Sequence, residues 1–140
     1  MSRNLINTAD GLIKRSKMVM VGSVGEDGFP YQKMMYNARV REGVKTFYLT
    51  TNTSSLRVRQ YRKNPAASLY FADKRFFNGL MLLGTMEVLE DAESKELIWQ
   101  PGDTLYYPLG VTDPDYCVLR FTAKSGRFYS NFHSEDFEIE

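Results

Sequence analysis

The sequence predicts a mainly β domain, an antiparallel barrel that is closed or nearly closed and carries a few helices. Three observations lead there. The 140 residues fit one domain whose core needs no disulfide or metal. Short apolar runs alternate with tight turn sequences, which implies antiparallel pairing. Aromatic residues make up 14% of the chain, which suits a β-rich core. Six or seven such runs with few helices favour a rolled sheet, because rolling hides strand edges.

Taken in order, residues 4–16 place Leu5, Ile6, Ala9, Leu12 and Ile13 at helical spacing, an amphipathic helix. Residues 17–24 (KMVMVGSV) read as a strand, GEDGFP as a turn, and residues 31–39 as a second strand, together a hairpin. Arg41, Glu42 and Gly43 form another tight turn before a third strand at 45–51. This meander makes the second and third strands neighbours. A helix follows over 54–63, capped by Ser54 or Thr53 and stopped at Asn64-Pro65, since the residue before proline is pushed out of the α region. Residues 66–72 form a strand, and 77–90 a long one bent near Gly79 or Gly84. A helix over 92–100 starts after acidic Glu90 and Asp91, and a loop rich in Gly, Pro and Tyr spans 101–115. Two last strands, 116–123 and 127–130, flank a turn at Lys124-Ser125-Gly126; the tail SEDFEIE is expected to be acidic and exposed.

The net charge of +1 confines any positive field to a local patch, so nucleic acid is not an expected partner. Cys117 is the sole cysteine and cannot form an internal disulfide. Residues 1–17 are polar and interrupted by charge, unlike a secretory signal, and the apolar run around Leu80–Leu83 is too short to span a bilayer. The expectation is a cytoplasmic protein without a membrane partner.

The richest chemistry lies in residues 47–65, FYLTTNTSSLRVRQYRKNP. Residues 43–72 hold no Asp or Glu, but contain Lys45, Arg57, Arg59, Arg62 and Lys63. A helix start leaves backbone N–H groups unpaired, and its dipole favours an anion. Ser54 and Ser55 add hydroxyls, and Arg57 in the first turn can donate a charge-assisted pair, so the segment reads as a phosphate site. A capped surface helix with a solvated basic face explains the same residues. Lys33, which alternation puts on one face with Tyr31, Met35 and Asn37, would add a second cation or reach solvent. His133 stands alone beside the acidic tail, and Cys117 sits in an apolar strand where a core role is the simpler reading. One His and one Cys without spaced partners exclude a standard zinc site, and no nucleotide-loop motif occurs. Trp99, Tyr106 and Tyr107 could stack on a planar ligand or fill an interface.

These pieces carry a resemblance. Gly28-Phe29-Pro30-Tyr31-Gln32-Lys33, FYLTT, Ser55-Leu56-Arg57, Asn64-Pro65, Gly84-Thr85-Met86-Glu87-Val88 and the segment from Gly110 to Arg120 follow in an order similar to that of the pyridoxamine 5'-phosphate oxidase-like flavin-binding split-barrel superfamily, in its general stress protein-like subgroup. The resemblance covers roughly residues 4–130. It implies a six-stranded antiparallel split barrel of FMN-binding type, in one domain over residues 1–140, that forms a homodimer with FMN in clefts between the subunits. By resemblance, Lys33 touches the flavin or its phosphate. Met34, Met35 and Tyr36 pass the ring mainly through their backbone, Thr50 and Thr51 contact the cofactor, and Ser55, Leu56 and Arg57 occupy the phosphate-binding stretch. Asn78 approaches the ring edge. The chain departs from the true oxidase in a longer loop between Thr51 and Ser55, in Ala38 and Leu56 where basic residues are expected, and in lacking the substrate-binding C-terminal pair. A flavin-dependent oxidoreductase of unknown substrate is therefore expected, not a true pyridoxamine 5'-phosphate oxidase. The alternative is a non-catalytic module that holds flavin, deazaflavin or haem.

Overall fold

The computed structural model describes residues 3–75, 77–130 and 132–140. Helix α1 (Arg3–Arg15) is followed by β1 (Met18–Val24), β2 (Pro30–Tyr36), β3 (Val40–Glu42) and β4 (Thr46–Asn52). Helix α2 (Leu56–Lys63), β5 (Ala66–Ala72), β6 (Gly79–Leu89) and α3 (Ala92–Ile98) come next. Two 3₁₀ turns, Asp103–Leu105 and Gly110–Thr112, precede β7 (Tyr116–Ser130) and β8 (His133–Glu138).

Every pairing is antiparallel, in the order β2-β1-β5-β6-β7-β4-β3, with β8 alongside the second half of β7. The chain is mainly β with a split, open barrel. Curling of the sheet is visible in its core, where one cluster unites Val19 and Val21 of β1 with Phe47 and Leu49 of β4 and Leu119 and Phe121 of β7. Phe47 also meets Phe71 of β5, a strand it does not pair with, at 6.1 Å between ring centroids. Alternation along β1, β4 and β5 drives this, since every second residue faces inward. The split lies between the terminal strands β2 and β3. Helix α1 is tied to both sides of it: Asn37, just past β2, donates to the Ile13 and Ser16 carbonyls, and Arg41 of β3 pairs with Asp10. Ala9, Leu12 and Ile13 of α1 are buried, as their spacing predicts. No helix among the described residues is long and apolar enough to cross a membrane.

Four expectations are corrected. The second and third long strands, β2 and β4, are not neighbours; they stand near opposite ends of the pairing order. After β2 the chain builds a separate hairpin in which β3 pairs with β4, and β4 takes β7 as its other partner. The Lys124-Ser125-Gly126 turn is instead a β-bulge within a continuous β7. Leu83 pairs with Ser125 and Gly84 with Ala123, leaving Lys124 as the extra residue. Gly84 is the bend the sequence anticipates: a Cβ there would overlap the Thr122 carbonyl. The acidic tail forms β8, anchored by buried Phe137 against Gly126, while Glu135, Asp136 and Glu138 stay exposed. Finally, Ser55 rather than Ser54 or Thr53 caps α2, its hydroxyl oxygen accepting the Val58 N–H.

Candidate functional site

The site begins where β4 hands over to α2. Thr51 points into the barrel and is buried, whereas Thr50 lies on the outer face, because strand neighbours alternate. Thr53, Ser54 and Ser55 connect Asn52, the last residue of β4, to the helix. Leu56 opens the helix and is exposed, and Arg57 turns back to donate from Nη2 to the Thr51 hydroxyl at 3.2 Å. Arg57 is half-buried, and its Nε is buried without an acceptor. Seven other arginines among the described residues pair with carboxylates; Arg57 does not. An unpaired, partly desolvated guanidinium beside a helix start is suited to an anion.

Helix α2 is locked to the barrel through its next turn. Tyr61, four residues past Arg57 and so on the same helical face, donates to the Gly22 carbonyl at 2.8 Å. Ser23 donates to Gln60 Oε1 at 2.6 Å. Burial pushes the Tyr61 phenol far above its usual range, with the Arg57 charge acting the other way, so Tyr61 stays a neutral donor. Gly22 and Ser23 pair with Gln32 and Tyr31 of β2, which brings α2 to the β1–β2 side of the barrel. Lys33 pairs with Val21 on the inward face yet is exposed, because β2 is an edge strand. Met35 shares that face and is buried, while Met34 and Tyr36 project outward and are exposed. Lys33 therefore lies on the exposed edge strand β2, which does not pair with β4. Asn78 lies at the far end of β6, about 30 Å along that strand from the end near α2. Within one subunit it does not join Ser55 and Arg57.

A carboxylate distant in sequence completes the loop. Asp115, just before β7, accepts the Ser54 N–H at 2.9 Å and the Asn52 amide at 2.9 Å, while its carbonyl accepts the Thr53 N–H at 2.8 Å. The Asn52 amide and the Ser54 N–H hold its carboxyl below the usual range. The carboxylate-free stretch seen in the sequence therefore has a carboxylate at its centre. The only sequence signal was the turn chemistry of Asp113-Pro114-Asp115, which says nothing of its target. Cys117, whose thiol burial pushes up, is core and faces the Thr53 hydroxyl. Trp99 and Tyr107 pack against Tyr116 with centroids 5.1 and 4.9 Å from it, so these rings fill a secondary core and only Tyr106 stands exposed. His133 begins β8, at the Gly79 end of the barrel, away from Arg57.

The profile of the pyridoxamine 5'-phosphate oxidase family matches residues 6–130. The chain belongs to this family. Among solved structures, a protein related to general stress protein 26 of B. subtilis (pyridoxinephosphate oxidase family) from Clostridium acetobutylicum is 43% identical, with a TM-score of 0.90 over 99% of this chain and 97% of that one. General stress protein 26 from Bacillus anthracis str. Sterne shares the fold at 17% identity, with a TM-score of 0.79 over 97% and 99% of the two chains. A heme binding protein from Mycobacterium smegmatis does so at 13% identity and a TM-score of 0.78, over 99% of this chain and 59% of its own. No curated protein sequence matches the chain.

The other prominent surface of this oxidase-family chain is the outer face of β2-β1-β5-β6. Met18, Met20, Met34, Tyr70, Met81 and Leu83 line an open groove of about 1440 Å³ there. That exceeds a typical small-molecule pocket of roughly 300–1,000 Å³. Of the predicted site residues it includes Met34, but not Lys33, Ser55 or Arg57.

Proposed function

We propose that this protein is an FMN-binding, pyridoxamine 5'-phosphate oxidase-related oxidoreductase of unknown substrate that works as a homodimer. Arg57 carries the reading: a half-buried cation with a buried, unpartnered Nε and no carboxylate, in the first turn of α2. A flavin phosphate would supply the missing acceptor. Ser55 supports it, because its oxygen already accepts the Val58 N–H and its O–H remains to donate. The first-turn amides of Leu56 and Arg57 add donors. Along β2, an edge strand, backbone groups facing the split have no strand partner, so the Lys33–Tyr36 backbone can meet the edge of a planar ring. A second copy seated on the apolar outer face would remove Met34, Tyr36 and Leu83 from water. Bound flavin supplies the hydride or electron transfer; the chain binds it, orients it and excludes water.

The test is titration of the flavin-free protein with FMN and with riboflavin, which lacks the phosphate. FMN should bind at least about tenfold more tightly, as one charge-assisted contact provides. Equal affinities would remove the phosphate assignment. Bleaching of bound flavin by NADH or NADPH, followed by turnover with an acceptor, marks an enzyme; binding without bleaching marks the non-catalytic holder. Haem held through His133 has no support from its position on β8, remote from Arg57.

A further inference from the structure

We propose that Asp115 is a positioning residue for the phosphate loop: its carboxylate fixes the loop from Asn52 to Ser55 so that Ser55 and Arg57 meet an anion together. This rests on the phosphate reading above.

The loop Asn52-Thr53-Ser54-Ser55 contains no proline, and every side chain in it can form competing local hydrogen bonds. Left alone, such a segment samples many conformations, and ordering it on binding would cost affinity. Within the loop, the only backbone bond is Ser55 N–H to the Asn52 carbonyl at 3.0 Å. Asp115 adds three bonds from across the fold, to Asn52, Thr53 and Ser54. It is itself anchored. Its N–H donates to Asp113 Oδ1 at 3.0 Å, and buried Asp113 also accepts the Leu109 N–H at 3.1 Å. The Asp113 carbonyl takes the buried Lys95 ammonium at 3.2 Å. Strand pairing of Asn52 with Tyr116 holds one end of the segment and the Ser55 cap the other, and between them it is tied by a knot rooted in α3 and the start of β7.

The arrangement also divides the donors. The Ser54 N–H is spent on the carboxylate, which leaves the Ser55 hydroxyl, the first-turn amides and Arg57 for a ligand. Acceptance of the Ser54 N–H and of the Asn52 amide are the two positioning contacts of the carboxylate, and the negative charge that comes with them opposes a phosphate. Asp115→Asn keeps an oxygen for Ser54, with Asn52 able to flip its amide, and removes the charge. Asp115→Ala removes both.

The experiment measures Kd for FMN and riboflavin in wild type, D115A and D115N. D115A should lose about tenfold in FMN affinity while riboflavin changes less than about twofold. D115N should bind FMN at least as tightly as wild type. General damage to the fold would weaken both ligands alike and would not be rescued by asparagine. A wild-type FMN preference retained in D115A overturns the proposal, and so does an equal loss in D115N and D115A. If D115A does not fold, Asn52→Ala, which removes one carboxylate bond, is read in its place, with an expected loss of about threefold for FMN alone; no loss overturns the proposal. A wild type that binds FMN and riboflavin equally refutes the phosphate reading itself, an outcome distinct from all of these, and takes this proposal with it.

Discussion

Replacing Arg57 by alanine separates ligand binding from folding in a way the structure makes quantitative. In the flavin-free protein the side chain forms one hydrogen bond, to Thr51, and leaves Nε buried and unpartnered. The first contributes about 1 kcal/mol to stability and the second costs about 1–3 kcal/mol. The net of the two runs from zero to about 2 kcal/mol in favour of the variant, so Arg57→Ala should leave Tm unchanged or raise it by up to about 6 °C. Binding should behave differently. Charge-assisted contacts to a phosphate are worth about 1.5–3 kcal/mol, or about 10- to 150-fold in Kd. Fluorescence titration should therefore show FMN affinity falling by that factor, with riboflavin affinity unchanged. Arg57→Lys should fall between, because an ammonium keeps the charge but not the planar fork. An Arg57→Ala protein with the wild-type ratio of FMN to riboflavin affinity would show that Arg57 does not meet the phosphate, whatever its Tm.

Three further outcomes follow from the fold. Met34→Glu places a carboxylate on the apolar outer face, so the wild type should sediment as a dimer and the variant as a monomer at the same concentration; equal masses would remove that face as the contact. Gly84→Ala drives a Cβ into the Thr122 carbonyl, a backbone group that cannot yield cheaply. It should destabilise by about 2–3 kcal/mol, seen as a lower urea midpoint, and an unchanged midpoint would contradict the bulge. For Asp103, burial pushes the carboxyl up, but bonds from Arg39 and the Gln100 N–H outweigh it and hold the group below its ordinary value of 3.8. A depressed carboxylate stabilises fully above that ordinary value and loses its contribution as pH falls through the lower folded one. The difference in urea midpoint between wild type and Asp103→Asn should then be largest above about pH 5 and shrink below the ordinary value; a constant difference would contradict the sign.

Local sequence signals are decisive where one physical cause dominates. The helical spacing of Ala9, Leu12 and Ile13 and the Asn64-Pro65 stop both hold in the structure. Ambiguity arose where one chemistry serves two geometries. Lys124, Ser125 and Gly126 suit a turn and a bulge equally, and pairing with β6 decides between them. Thr53, Ser54 and Ser55 are all competent caps; in the fold Ser55 accepts the Val58 N–H, while the Ser54 N–H goes to Asp115 from across the fold. The adjacency of β2 and β4 was inferred from short connections, but Arg39 donates to the Tyr48 carbonyl and starts a new hairpin on the far side of the split. The candidate site shares this pattern: Ser55 and Arg57 are legible from sequence, while the carboxylate that shapes their loop is a long-range partner without a local signature.

Flavin binding is tested by mass spectrometry of the small molecule released on denaturing freshly purified protein, quantified against subunit concentration. FMN is expected, at close to one molecule per subunit. Release of a deazaflavin or haem, or a protein that carries nothing and takes up no FMN when it is supplied, would contradict that expectation.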